Sequence, residues 1–313
     1  MDRRQEKDVM TASLRALLAR AIDYAGLFPP ANMALEPALQ NYADYIRTAD
    51  DWMLGAFILP VAEFGAAARG LSQFDTDHPL RISALGPKTD NAEAFQASLA
   101  GAMDSIASFR MMYGAAAVIE QFEMPLPANI SADTFRMIRA TIDSGLRTFW
   151  EAPAEAAERT IKSIADNNRS HAGGKLGFKL RTGGVTASAF PSSAEIAVAL
   201  MAAGTHQVPI KFTAGLHHPV RIFHQSVQTT MHGFLNVLGA GVLGLEHDWT
   251  EKQFVEMLDD EEAASFSLTE DSFAWRDWRV ATKRVAAHRE LVTSLGSCSF
   301  DEPREDLRAL NLL

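Results

Sequence analysis

Two short segments carry cations at the alternation that a β-strand would impose. In KLGFKLRTGG (175–184), Lys179 and Arg181 fall on one face and Phe178 and Leu180 on the other. In VPIKFTAGL (208–216), Lys211 and Thr213 alternate with Ile210 and Phe212. If helices cover the outside of the sheet, the apolar residues must face them. Lys179, Arg181 and Lys211 then point inward from two adjacent strands. Burying a cation costs several kcal/mol unless something compensates it. The compensation is either a protein carboxylate or an anionic ligand. Glu151, on the inner face of RTFWEAP (147–153), and Glu120, ending FRMMYGAAAVIE (109–120), are the nearest carboxylates by sequence. A salt-bridged interior with no catalytic role is therefore one alternative. Under a functional reading, the planar fork of Arg181 suits bidentate capture of a carboxylate or phosphate.

The turns after these segments add to the pattern. Thr182-Gly183-Gly184 and Thr213-Ala214-Gly215 can bring backbone amides close to a phosphate, although turn geometry alone explains such glycines as well. In Gly215-Leu216-His217-His218-Pro219, Pro219 fits the first turn of a helix with His218 at its cap. His217 and His218 then stand beside Lys211 as candidate general acids or bases. The helix expected next carries His224, Gln228, His232 and Asn236 at intervals of four. Its histidines are two turns apart, so a buried polar stripe or a subunit contact is favoured over a metal site. Glu246-His247-Asp248 reads as a loop and helix cap. A site assembled from His217, His218, Glu120 and Glu151 would use a divalent metal; otherwise no cofactor is expected. Cys298, within GSCS, lacks a nucleophile context and reads as an incidental thiol. Asp23-Tyr24-Ala25-Gly26-Leu27-Phe28-Pro29-Pro30 reads as a rigid apolar rim, with Phe28 as a substrate contact.

The elements that must position these residues alternate. Strand-like runs occupy 21–30, 53–61, 80–87, 109–120, 147–153, 175–184 and 208–219. Helix-like stretches occupy 34–50, 91–109, 130–145, 153–168 and 192–204. The spacing is roughly one βα unit of about 30 residues. It predicts an α/β fold, a (β/α)8 TIM-like barrel with a short N-terminal helix and a C-terminal loop-helix tail, forming one domain over 1–313. For the eighth strand, 264–275 is preferred, behind an inserted helix at 250–262; 241–248 competes. The glycine fingerprint GxGxxG of dinucleotide-binding open sheets is absent.

Composition narrows the function classes. Of 313 residues, 29 are Lys or Arg and 39 are Asp or Glu, giving a net charge of −10. Such a chain is a poor partner for nucleic acid or an anionic membrane. No apolar run approaches a membrane span, and MDRRQEKDVM precedes no apolar signal core, so a cytoplasmic location is expected. One cysteine excludes an internal disulfide. A homo-oligomer is compatible with the polar stripe but not required by it.

FKLRTGG followed by IKFTAGL resembles the sixth and seventh strands of class I aldolases of the deoxyribose-phosphate aldolase type. The resemblance covers residues 178–216. It implies that Lys179 forms a Schiff base and that Lys211 helps depress its pKa. Two departures stand out. Arg181 replaces a small hydroxyl residue, and the fourth-strand acidic proton relay has no match beyond Glu120. The expectation is an enzyme on a small phosphorylated or carboxylated metabolite, a Schiff-base lyase first and a metal-dependent hydrolase or isomerase second. Lys179, Lys211, His217, His218 and Glu151 would carry the chemistry. Arg181, Thr182, Gly183, Thr213, Gly215 and Phe28 would bind the substrate.

Overall fold

The computed structural model describes residues 10–313 apart from 129, 130, 144 and 172. Its strands are β1 (Ile22–Tyr24), β2 (Leu54–Pro60), β3 (Leu80–Leu85), β4 (Ala117–Pro125), β5 (Arg147–Ala152), β6 (Leu176–Arg181), β7 (Ile210–Thr213), β8 (Ile222–His224), β9 (Thr229–Met231), β10 (Phe266–Leu268), β11 (Ser272–Trp275), β12 (Trp278–Ala281) and β13 (Val292–Ser297). The helices are α1 (Ala12–Leu18), α2 (Leu35–Tyr45), α3 (Phe64–Ala67), α4 (Ala92–Tyr113), α5 (Ala132–Thr141), α6 (Ala157–Arg169), α7 (Ser193–His206), α8 (Phe234–His247), α9 (Glu251–Leu258), α10 (Thr282–His288) and α11 (Asp301–Ala309). Eight parallel strands close in the order β1-β13-β7-β6-β5-β4-β3-β2. This is a (β/α)8 barrel, as the alternation predicts, with α1 before it and α11 after it.

The outward residues do what the pattern requires. Phe178, Leu180, Ile210 and Phe212 are fully buried beneath the helices. Each such side chain contributes about 1.5–3 kcal/mol by leaving water. Local signals start the helices: Asn91 accepts from the Ala94 amide to open α4, and Ser192 and Glu195 form a capping box on α7. The stretch 187–206 is also long and apolar enough to cross a membrane by composition. That corrects the expectation that no run approaches such a length. In this fold the stretch is a single turn followed by α7, whose Ile196, Ala197, Ala199 and Ala203 pack into the core.

Three expectations about elements are overturned. The eighth barrel strand is β13, not 264–275 or 241–248. Within 264–275 the Thr269–Asp271 turn splits the run, and β10, β11 and β12 form a separate antiparallel sheet. Residues 241–247 belong to α8. The fourth strand is Ala117–Pro125, not 109–120, because α4 continues through Phe109–Tyr113. Met111 and Met112 look strand-like in sequence but lie exposed on the last turn of that helix. Finally, no helix begins at Pro219. The β8–β9 hairpin intervenes, with Gln228 at φ +52°, and of the polar stripe only Asn236 lies on a helix.

Candidate functional site

The inner faces of the strands assemble a charged network inside the barrel. Lys179 and Lys211 sit opposite each other in the β6–β7 register. Glu123 of β4 lies between them. Its Oε2 is 2.7 Å from the Lys179 Nζ, and its Oε1 accepts from the Lys211 Nζ and from the Ser83 hydroxyl. Lys211 also donates to Asp23 Oδ2 at 2.5 Å, and its Nζ lies over the Phe149 ring at 5.7 Å. Asp23 further accepts from the Gln121 amide at 2.9 Å and the Ser294 hydroxyl at 2.9 Å. Lys179 has a second carboxylate, Glu151 Oε2, at 3.0 Å. Arg181 stands 3.4 Å from the other oxygen of Glu151.

The electrostatics follow from this packing. Burial presses the Lys179 pKa down, but Glu123 and Glu151 outweigh it and hold the ammonium above its ordinary range. The lowered pKa expected for Lys179 is therefore corrected: at rest it is an ion-paired cation. Burial pushes Glu123 up, yet Lys179 and then Lys211 pull it well below the usual carboxylate range. Glu151 is lowered in the same way, against burial, by Lys179 and then Arg181.

Two cavities open at the carboxyl end of the barrel and share Lys179, Arg181 and Leu85. The smaller, about 380 Å³, is lined by Phe28, Gly183, Thr213, His217 and Cys298 among others. The larger, about 1240 Å³, reaches Glu151, the loop after β3 and the start of α6. Lys179, at 4 % exposure, touches both; Lys211, at 0 %, is sealed beneath and reaches neither. The three cations thus share one network, but only two of them face open space.

Other expected residues are placed differently. The Thr182 hydroxyl is occupied by the Ala214 carbonyl at 2.6 Å, so it lines neither cavity. Gly215 (φ +76°) serves packing: a Cβ there would lie 2.9 Å from the Gly183 Cα. His218 Nδ1 pairs with Asp306 at 2.6 Å and its ring stacks on His224, away from the cavities. His217 does face the smaller cavity, with Nδ1 3.1 Å from Glu302 of α11. Burial lowers its pKa, but Cys298 and Glu302 raise it to about 9. Asp23 belongs to the barrel interior, not to a rim.

Sequence reasoning missed Glu123, whose signal was hidden by the misplaced fourth strand. It also set aside Cys298, whose Sγ lies 3.8 Å and 3.9 Å from the two His217 nitrogens. Glu120 is paired with Arg20 and lines a cavity at the opposite, amino end of the barrel. The metal set His217, His218, Glu120 and Glu151 is therefore dispersed. Among the described residues, no group of three His, Cys, Asp or Glu side chains is placed to hold a metal ion. Asn236 is a structural residue, with its amide donating to the Met257 and Asp260 carbonyls at 2.7 Å and 2.8 Å.

The fold and the network together define a (β/α)8 barrel with a charged interior and an open carboxyl end. No protein-family model matches the chain, and no curated protein matches it. Among solved structures, a mutant tryptophan synthase alpha-subunit from the hyperthermophile Pyrococcus furiosus is similar. It shares 11% identity, covers 77% of this chain and 97% of that chain, and has a TM-score of 0.34. That likeness is too loose to bear on chemistry.

Proposed function

We propose that the protein is an enzyme of the lyase class acting on a small anionic carbonyl compound, with Lys179 at the reacting centre. The observation that carries this reading is the position of Glu123. It stands between the two registered lysines, where the aldolase-like pattern calls for a fourth-strand acid. Of the two lysines, Lys179 is the one that reaches open space.

In this reading Lys179 first gives its proton to Glu151, 3.0 Å away. The neutral amine attacks the substrate carbonyl carbon and a C–N bond forms. The attached nitrogen passes a proton to the former carbonyl oxygen, and Glu151 then protonates the resulting hydroxyl, which leaves as water. The iminium accepts the electron pair of an adjacent C–C bond while Glu151 takes the proton of the hydroxyl on the departing carbon. That fragment leaves as a carbonyl compound and an enamine stays on Lys179. The enamine carbon regains the proton, and water hydrolyses the iminium to free the lysine. Arg181 holds an anionic substituent, and Lys211 keeps Glu123 ionised. A second reading keeps Lys179 protonated throughout, as a hydrogen-bond donor to a developing enolate while Glu151 abstracts a proton. The raised pKa of Lys179 favours it.

Borohydride separates the two. The protein is incubated with keto acids, aldehydes and sugar phosphates, reduced, and weighed. An adduct mapping to Lys179, absent in Lys179→Ala, supports the iminium. No adduct, together with a turnover that Glu151→Gln abolishes, replaces it with the acid–base reading.

A further inference from the structure

The larger cavity contains polar groups that the protein leaves without partners. Thr160, on the first turn of α6, is fully buried and lines it, and its hydroxyl has no hydrogen-bond partner among the described residues. Thr89, in the loop after β3, lines it too, and its buried hydroxyl is also unpartnered among the described residues. A buried hydroxyl without a partner carries a desolvation cost of about 1–3 kcal/mol. Two in one cavity, on separate elements, mark a place where a ligand completes the hydrogen bonding.

Charge indicates which ligand. Lys88, Arg159, Lys179 and Arg181 line the cavity against Asp90, Glu151 and Glu155, so four cations face three acids in a chain of net charge −10. Arg181 and Lys179 are engaged with Glu151. Lys88 and Arg159 form no ion pair among the described residues. At about 1240 Å³ the cavity exceeds what a three-carbon compound fills.

We propose that this cavity is a second binding chamber, in which Thr89, Thr160, Lys88 and Arg159 hold an oxyanion, phosphate or carboxylate, at the substrate end remote from Lys179. The assignment of the opposite end to Lys179 rests on the function proposed above. The substrate class is accordingly an extended carbonyl compound with a terminal oxyanion, seated on the β3–β5 side of the mouth. The smaller cavity, on the β6–β7 side, is left for the fragment that departs.

Calorimetric titration of the full chain with inorganic phosphate, and separately with glutarate, tests the chamber. Binding of one or both is expected, and which one binds tells phosphate from carboxylate. Arg159→Met and Thr160→Val should each weaken it roughly tenfold, as loss of a hydrogen bond to a charged group does. Glu155→Gln should strengthen it, a gain that a merely structural role would not produce. Binding of neither ion, equal affinity in both weakening variants, or equal affinity for the uncharged 1,5-pentanediol overturns the proposal. Titration reads binding without turnover, so it stands or falls separately from borohydride trapping. An adduct at Lys179 with unchanged anion affinity in the variants removes the chamber and keeps the lysine.

Discussion

The two sides of the barrel mouth treat polar groups in opposite ways. On the β6–β7 and β13 side, three of them are engaged by the protein. Thr182 donates to Ala214, His217 faces Glu302, and His218 pairs with Asp306. On the β3–β5 side, among the described residues, the Thr89 and Thr160 hydroxyls have no partner, and Lys88 and Arg159 have no carboxylate. The first side is finished by folding alone. The second is left with unpaired groups, which under the proposal above an entering anion would pair. The same residue types therefore mean scaffold in one place and recognition in the other, and the distinguishing mark is the missing hydrogen bond.

The largest effect that can test this contrast lies beneath both sides. Glu123→Leu removes the carboxylate shared by two buried lysines. It should cost about 3–5 kcal/mol, read as a fall in the denaturation midpoint, since it strands charge in the interior. Loss under about 1 kcal/mol would mean that water or a rearranged Asp23 serves Lys211 just as well.

The histidine clasp should be pH-dependent in a defined direction. His217 is raised from about 6.5 to about 9 in the folded protein. Its contribution to stability is then fully present below about pH 6.5 and lost as pH rises through about 9. Wild type should exceed His217→Asn by roughly 2–5 °C in Tm at pH 6, and the gap should close by about pH 10. A gap constant across that range would show that His217 acts by packing and not by charge.

The threonines give the smallest and most direct comparison. Thr182→Val should cost about 1–2 kcal/mol, because it leaves the Ala214 carbonyl without its donor. Thr160→Val should be neutral, or stabilising by up to about 1 kcal/mol, in the absence of ligand. Equal losses at both positions would erase the difference between the two sides.

How much of this was legible in the sequence differs from residue to residue. Lys179 and Lys211 were, because alternation with Phe178, Leu180, Ile210 and Phe212 leaves them one direction to point. β13 was not: VTSLGS is short, and small polar residues dilute its apolar pattern. Its inward Ser294 donates to Asp23. Glu123 was hidden because a 22-residue helix consumed the apolar run taken for a strand. The hairpin at 222–231 imitated helical spacing: His224 ends its first strand, and His232 lies just past its second. Cys298 carries no local signal at all, since its partner histidine lies 81 positions away.

The ring closes where β13 joins β1 on one side and β7 on the other. The hydrogen bond from Ser294 to Asp23 spans 271 positions, and that from Lys211 to Asp23 spans 188. Contacts so distant in sequence form late and slowly, because chain entropy is lost before they return anything. Asp23 can take the Ala56 amide from the neighbouring β2, but its cation, Lys211, comes only with β7 and its last hydroxyl, Ser294, only with β13. The first strand thus carries a charge whose balance is supplied by the second half of the chain, and the strand that closes the ring adds a neutral hydrogen bond to a carboxylate already paired.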